Sequence, residues 1–151
     1  FKQKTAYEIG VRLVGSEMCI RDSDVVVDCC DNYSTRFAIN ASCWSHSKPL
    51  VFGSAIRMEG QIAVFDGRES SSPCYRCLYQ EGGEDETCST NGVMSPVVGI
   101  IGSLQAMEAI KIIANVGKTL TGRLLILDAS TSQWREMRLP KEPNCQVCSR
   151  N

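Results

Sequence analysis

The sequence predicts an α/β domain, and three observations carry that expectation. "DVVVDCC" (residues 24–30) and "PLVFGSA" (49–55) are continuous apolar runs, the pattern of strands buried on both faces in a parallel sheet. Between them, "STRFAINASCWSHS" places Phe37, Ala38, Ala41 and Trp44 at helical spacing, so strand, helix and strand make a βαβ crossover, right-handed almost without exception. "SPVVGIIGSLQAMEAIKIIANVG" (95–117) is the strongest helix signal in the chain.

Residues 1–23 are expected to be a leader without functional content, and the domain to run over 24–151. The stretch "KTAYEIGVRLVGSEMCIRDS" has no clear period and resembles translated sequencing-adaptor text; the alternative is an ordinary amphipathic segment. Ser34 is the expected cap of the first helix, and Lys48-Pro49 leads into the second strand. Glu59-Gly60 signals a turn, after which "QIAVFD" (61–66) alternates as a strand does, predicting a hairpin. Residues 67–95 are rich in Ser, Gly, Glu and Cys and lack a period. They are too long for a plain connection and read as a functional loop.

Ser95 is the expected N-cap of the long helix, Pro96 suits its first position and Gly117 its stop. Its faces are apolar almost all round until Glu108 and Lys111, so burial against the sheet or a partner subunit is expected. Gly99 and Gly102 within it read as points of close helix packing. "GRLLILDAS" (122–130) and "QWREMRLP" (133–140) are a strand pair joined by a tight turn.

The 151 residues suit one domain, with 43% hydrophobic and 22% charged residues near the globular average and a mean hydropathy of -0.11. No apolar run approaches the ~20 uninterrupted residues that a bilayer span needs, so no membrane association is expected. A net charge of -1, spread along the chain, leaves no basic stripe for phosphate neutralisation and argues against nucleic acid as a partner. Nine cysteines are an odd number, and no secretory h-region opens the chain. A reducing, cytoplasmic setting with metal-binding or reactive thiols fits better than a disulfide scaffold.

Cys74 and Cys77 in "PCYRC" allow a redox couple or half of a zinc site. Cys145 and Cys148 in "NCQVC" supply a second pair at the same spacing. Four thiolates are a ligand set that Zn²⁺ favours in closed structural sites. Neither pair opens a convincing helix, and the two lie much farther apart than in a zinc ribbon, so the metal would staple the C-terminal tail onto the loop. Cys88 has no such partner and reads either as an incidental loop cysteine or as a reactive one, while Cys29, Cys30 and Cys43 read as core packing.

In "DCCDN", Asp31 and Asn32 fall beyond the carboxyl end of the first strand, where ligands collect in open α/β sheets. A carboxylate there suits Mg²⁺ against a nucleotide's phosphates; capping the following helix is the alternative. Arg36 could orient a phosphate or pair with an acid, and His46 reads as solvated rather than catalytic.

Taken together, "DVVVDCCDNYSTRFAINASC", "PLVFGSAIRMEGQIAVFD", "PCYRCLYQ", "TCSTNGVMSPVVGIIGSLQAMEAIKII", "GRLLILDAS" and "NCQVC" resemble the C-terminal half of the MoeB/ThiF/HesA adenylyltransferases. These are relatives of the ubiquitin-activating enzymes, and the sequence looks nearest to the molybdopterin-synthase adenylyltransferase branch. The resemblance implies a Rossmann-like mixed sheet, a homodimer, and ATP-dependent adenylation of the C-terminal Gly-Gly carboxylate of a ubiquitin-like sulfur-carrier protein. It implies Mg²⁺ and phosphates at Asp31, the nucleotide beside Asn32, and a structural zinc on Cys74, Cys77, Cys145 and Cys148. Cys88 matches a position that in some members links covalently to the carrier. The family's glycine-rich nucleotide loop and its phosphate-gripping cations lie upstream of the position matching Asp24. The chain is therefore expected to be truncated and inactive alone; a non-catalytic docking module is the alternative.

Overall fold

The computed structural model describes residues 13–80 and 88–149. Its ten elements are α1 (Leu13–Asp22), β1 (Val26–Asp28), α2 (Tyr33–Ser45), β2 (Pro49–Ile56), β3 (Glu59–Asp66), α3 (Tyr75–Leu78), α4 (Cys88–Asn91), α5 (Ser95–Ala114), β4 (Arg123–Asp128) and β5 (Gln133–Arg138). The strands form one mixed sheet in the order β1-β2-β3-β4-β5. β1 runs parallel to β2 and every other pair is antiparallel.

Strand alternation divides the core in two. Leu50, Phe52, Ala63 and Phe65 face one side, with Cys43 of α2, Ile20 of α1 and Tyr75 of α3. Val51, Ile62 and Val64 face the other, with Leu104 and Ile112 of α5. Consecutive residues of β2 thus meet different helices, which is why the sequence there is apolar without interruption. β1 is shorter than its apolar run: it has three residues, lies at a sheet edge among the described residues, and leaves Val27 exposed.

Several boundaries depart from the sequence reading. Asn32, not Ser34, caps α2: its Oδ1 accepts from Thr35 N–H at 2.9 Å and from Ser34 Oγ at 2.9 Å. The β2–β3 turn falls on Arg57-Met58, and Glu59-Gly60 already belongs to β3. Arg57 pays for this with φ of +50°, a left-handed conformation uncommon outside glycine. Its backbone is gripped by the segment before α5, donating to Gly92 O at 2.9 Å and accepting from Met94 N–H at 2.8 Å. Met94 rather than Ser95 caps α5, and Pro96 sits in its first turn. The helix stops at Ala114 because Asn115 turns left-handed, two residues before Gly117.

α5 packs on the sheet through its buried residues Val97, Ile101, Gln105 and Glu108, with Leu104 and Ile112 partly buried beside them. Glu108 accepts from Leu120 N–H at 2.9 Å and pairs with Lys111. Val98, Ile100, Met107, Ile110 and Ile113 remain exposed, so the whole helix is not buried among the described residues. Gly99 and Gly102 face open space and are not close-packing points here. By length and mean hydropathy (1.6) α5 could cross a membrane, yet its polar Gln105 and Glu108 are bonded into the sheet side, as in a core helix.

The expected leader lies partly outside the described residues; its described part is α1, whose Ile20 joins the core. The expected functional loop contains α3 and α4, with residues 81–87 outside the described ones.

Candidate metal clasp and strand-end site

β3 delivers the chain at Asp66 into a folded-back turn. Asp66 N–H donates to Ser72 Oγ at 3.0 Å, and Asp66 Oδ1 accepts from Arg68 N–H at 3.0 Å. Pro73 then feeds Cys74, which caps the single four-residue turn α3. Asn40 of α2 fixes this knuckle, its Oδ1 accepting from Tyr75 N–H at 2.9 Å. From the other direction Lys141 donates to Ser70 O at 2.8 Å and lies 5.4 Å from the centre of the Trp44 ring.

The four cysteines then meet. Sγ separations are 3.6 Å for Cys74–Cys145, 3.4 Å for Cys77–Cys148 and 4.0 Å for Cys74–Cys77. All four sulfurs lie within 4.8 Å of one another. A regular tetrahedron with metal–sulfur bonds of about 2.3 Å has S···S edges of about 3.8 Å, so the donor set and its spacing fit a metal ion. Cys74, Cys145 and Cys148 are buried, and Trp44 packs against them. The Cys77 thiol is held well below its ordinary range, first by Cys74's thiol and then by N–H groups of Cys74 and Glu142, while Cys74 is pushed up.

Around Asp31 the geometry is different. Asp28 ends β1 buried, its Oδ1 accepting from Cys30 N–H at 2.8 Å. Arg36 answers it from α2, with Nε 3.7 Å from Asp28 Oδ2 and 3.0 Å from Cys30 O, the guanidinium lying over the Phe52 ring. Of the two roles open to Arg36, pairing with an acid is the one observed. Asp31 is exposed and accepts from Asn32 Nδ2 at 3.4 Å, immediately before the N–H groups that open α2. An exposed carboxylate beside the positive end of a 13-residue helix can hold a cation and an anionic group together.

The clasp and Asp31 occupy opposite ends of the sheet. Asp31 follows the carboxyl end of β1, the end to which parallel β2 also runs, whereas Cys74 follows antiparallel β3. Cys88 opens α4, with its side chain outside the described residues. Asn91 of that turn accepts from Arg57 Nη2 at 2.8 Å, so α4 is tied to the Asp31 end of the sheet.

Cys43 is core, as expected, but Cys29 is exposed and Cys30 half-buried, because the apolar run outlasts β1. Burial pushes the Cys30 and Cys43 thiols up to about 12. His46 closes α2, with Nδ1 2.9 Å from Ser42 O. A cleft of about 570 Å³, lined by Arg123, Arg138 and Lys141 among others, opens on the clasp side and not beside Asp31. Sequence reasoning missed Asn40, the buried polar side chain that fixes the clasp end, whereas Arg36, read as a partner for a phosphate or an acid, takes the second role. The available signal was polarity repeating one turn apart on the inner face of α2.

A mixed α/β sheet with a four-cysteine cluster able to hold a metal and a carboxylate beyond its parallel strand end marks out the class of protein. The ThiF family profile matches residues 5–147, and the chain belongs to the ThiF family. It is 52% identical over 130 residues to the molybdopterin-synthase adenylyltransferase of Escherichia coli (strain K12), covering 85% of this chain and 52% of that protein. It is 47% identical over 134 residues to the adenylyltransferase and sulfurtransferase MOCS3 of Drosophila persimilis, covering 86% of this chain and 29% of that protein. The chain thus spans about half the length, or less, of these curated relatives. Among solved structures, E. coli MccB with ATP superposes with a TM-score of 0.68 at 16% identity, covering 83% of this chain and 39% of that one, which establishes the fold.

Proposed function

We propose that this chain forms the C-terminal part of a domain that uses ATP to adenylate the C-terminal carboxylate of a ubiquitin-like sulfur-carrier protein. The observation that supports this most is the exposed Asp31 carboxylate at the carboxyl end of β1, beside the start of α2, in a chain 52% identical to a molybdopterin-synthase adenylyltransferase.

A carboxylate is a poor electrophile. Attack of its oxygen on the α-phosphorus of ATP, with pyrophosphate leaving, yields an acyl-adenylate whose leaving group is AMP. Asp31 would hold Mg²⁺, which offsets charge on the phosphates. Asn32, engaged through Oδ1 in capping α2, keeps Nδ2 on Asp31 and so orients that carboxylate. Cys88, carried on α4 at the same sheet end, is the proposed acyl acceptor: its thiolate attacks the acyl carbon, AMP departs, and a thioester to the carrier forms. The four-cysteine cluster takes Zn²⁺ in a structural role, since a closed thiolate set leaves no position for activating water. The exposed apolar side of α5 supports a homodimer. Residues 1–23 carry no part of this chemistry, and localisation is cytoplasmic.

The phosphate-gripping groups that the family resemblance expects upstream of Asp24 are absent from this proposal, so the activity belongs to a polypeptide that also carries them. ATP–pyrophosphate exchange with a Gly-Gly-ended carrier is the test. The 151-residue chain alone is expected to give none, and the same chain joined to an upstream nucleotide-binding half to give carrier-dependent exchange that Asp31→Ala abolishes and Cys88→Ala leaves intact. Carrier binding without exchange by the joined protein would replace this reading with a docking module.

A further inference from the structure

α5 contributes one buried amide to the sheet, and it does not serve the helix itself. Gln105 is buried, and its Nε2 donates to the main-chain carbonyl of Asp28 at 2.7 Å and to that of Val51 at 3.3 Å. Its Oε1 lies 3.9 Å from Cys29 Sγ. The donor is thus spent on the last residue of β1 and on the neighbouring strand, three residues before Asp31. Space for it comes from Gly53, where any Cβ would collide with the Gln105 carboxamide. On the opposite face Arg36 binds Cys30 O and reaches Gly53 O at 3.5 Å, so each helix layer sends one polar side chain to the same strand end.

We propose that Gln105 is a positioning residue for the Asp31 site: with Gly53 as its socket, it fixes the carboxyl end of β1 and thereby where the Asp31 carboxylate stands. This rests on the adenylation reading for its consequence, but the positioning itself is a property of the fold. A buried hydrogen bond to a main-chain carbonyl is directional, and its loss takes a donor from the buried Asp28 carbonyl where water does not replace it. Apolar packing at the same position would hold α5 to the sheet without setting the strand end to that accuracy. A carboxylate that must meet a metal and phosphates is sensitive to displacements of the order of 1 Å.

Three variants separate positioning from packing. Gln105→Ala removes both amide and volume, Gly53→Ala displaces the amide, and the double variant Gly53→Ala/Gln105→Ala refills part of the space without the amide. In the 151-residue chain, the Cys30 amide, which donates to Asp28 Oδ1 at 2.8 Å, reports on the strand end by hydrogen exchange. Amides of β3 report on the sheet. Positioning predicts at least tenfold faster exchange at Cys30 in all three variants, with β3 in the double variant returned toward the parent. Recovery of Cys30 together with β3 in the double variant, or no change at Cys30 in Gln105→Ala, overturns the proposal. In the exchange-competent joined protein, the double variant is expected to lower kcat at least tenfold with KM for ATP within twofold. A joined parent protein without exchange refutes the adenylation reading and leaves the hydrogen-exchange result to decide on Gln105.

Discussion

At the clasp end of the sheet, four sulfurs from segments 71 residues apart in sequence stand within 4.8 Å of one another, backed by Trp44 and Asn40. At the other end one exposed carboxylate, Asp31, faces solvent beside a helix start, with its neighbours Asp28, Arg36 and Gln105 turned inward to hold the strand. The contrast teaches that gathering a set of thiols and presenting a single carboxylate make opposite demands. The first draws every donor toward a common centre and shuts out water. The second commits its buried polar groups to the scaffold and leaves the carboxylate outside.

The sharpest way to break this contrast is to remove the clasp. Cys145→Ser or metal chelation releases the tail, and the loss is expected to be about 4 kcal/mol, on the scale of opening a cross-link that closes a loop of this length. Metal analysis giving one zinc per chain, and a change in Trp44 emission on chelation, check it; full stability without metal would refute it. Because the ligands must be thiolates, metal affinity is expected to fall as pH falls, read by competition with a chromophoric chelator.

Next in size is the buried pair beneath the strand end. Arg36→Leu leaves the buried Asp28 carboxylate without its ion-pair partner, with only the Cys30 N–H on it, at an expected cost of about 3 kcal/mol in denaturant unfolding. A cost near zero would mean that the pair contributes nothing to holding β1. Asn32→Ala removes the α2 cap and should cost about 1 kcal/mol by the same measurement. Smallest of all, Asp31→Ala is expected to change stability by less than about 0.5 kcal/mol, as for an exposed side chain, while abolishing exchange in the joined protein. A large stability loss there would show that Asp31 belongs to the scaffold.

Much of this was legible in the residues. Runs of uninterrupted apolar residues marked β2 and the β1 region, and two C-x-x-C pairs announced the clasp, because thiolate ligands come from short local knuckles that sequence displays directly. Ser34, Ser95 and Glu59-Gly60 carry the right chemistry for caps and turns. Asn32, as good a cap as serine, takes the first position through local bonds to Ser34 and Thr35, while Met94 and Arg57-Met58 take the others where the Arg57 backbone bonds Gly92 and Met94. Cys29 looked like core because an apolar run does not reveal where its strand stops pairing.

The sequence by itself determined the strands, the two long helices, the two cysteine pairs and the carboxylate at the strand end, since each depends on composition and spacing within one short segment. Only the tertiary structure decided that the clasp and Asp31 lie at opposite ends of the sheet, that α4 belongs to the Asp31 end, and that Gln105 reaches into the socket at Gly53. Those relations join residues tens of positions apart, and strand direction and helix packing set them rather than any local preference.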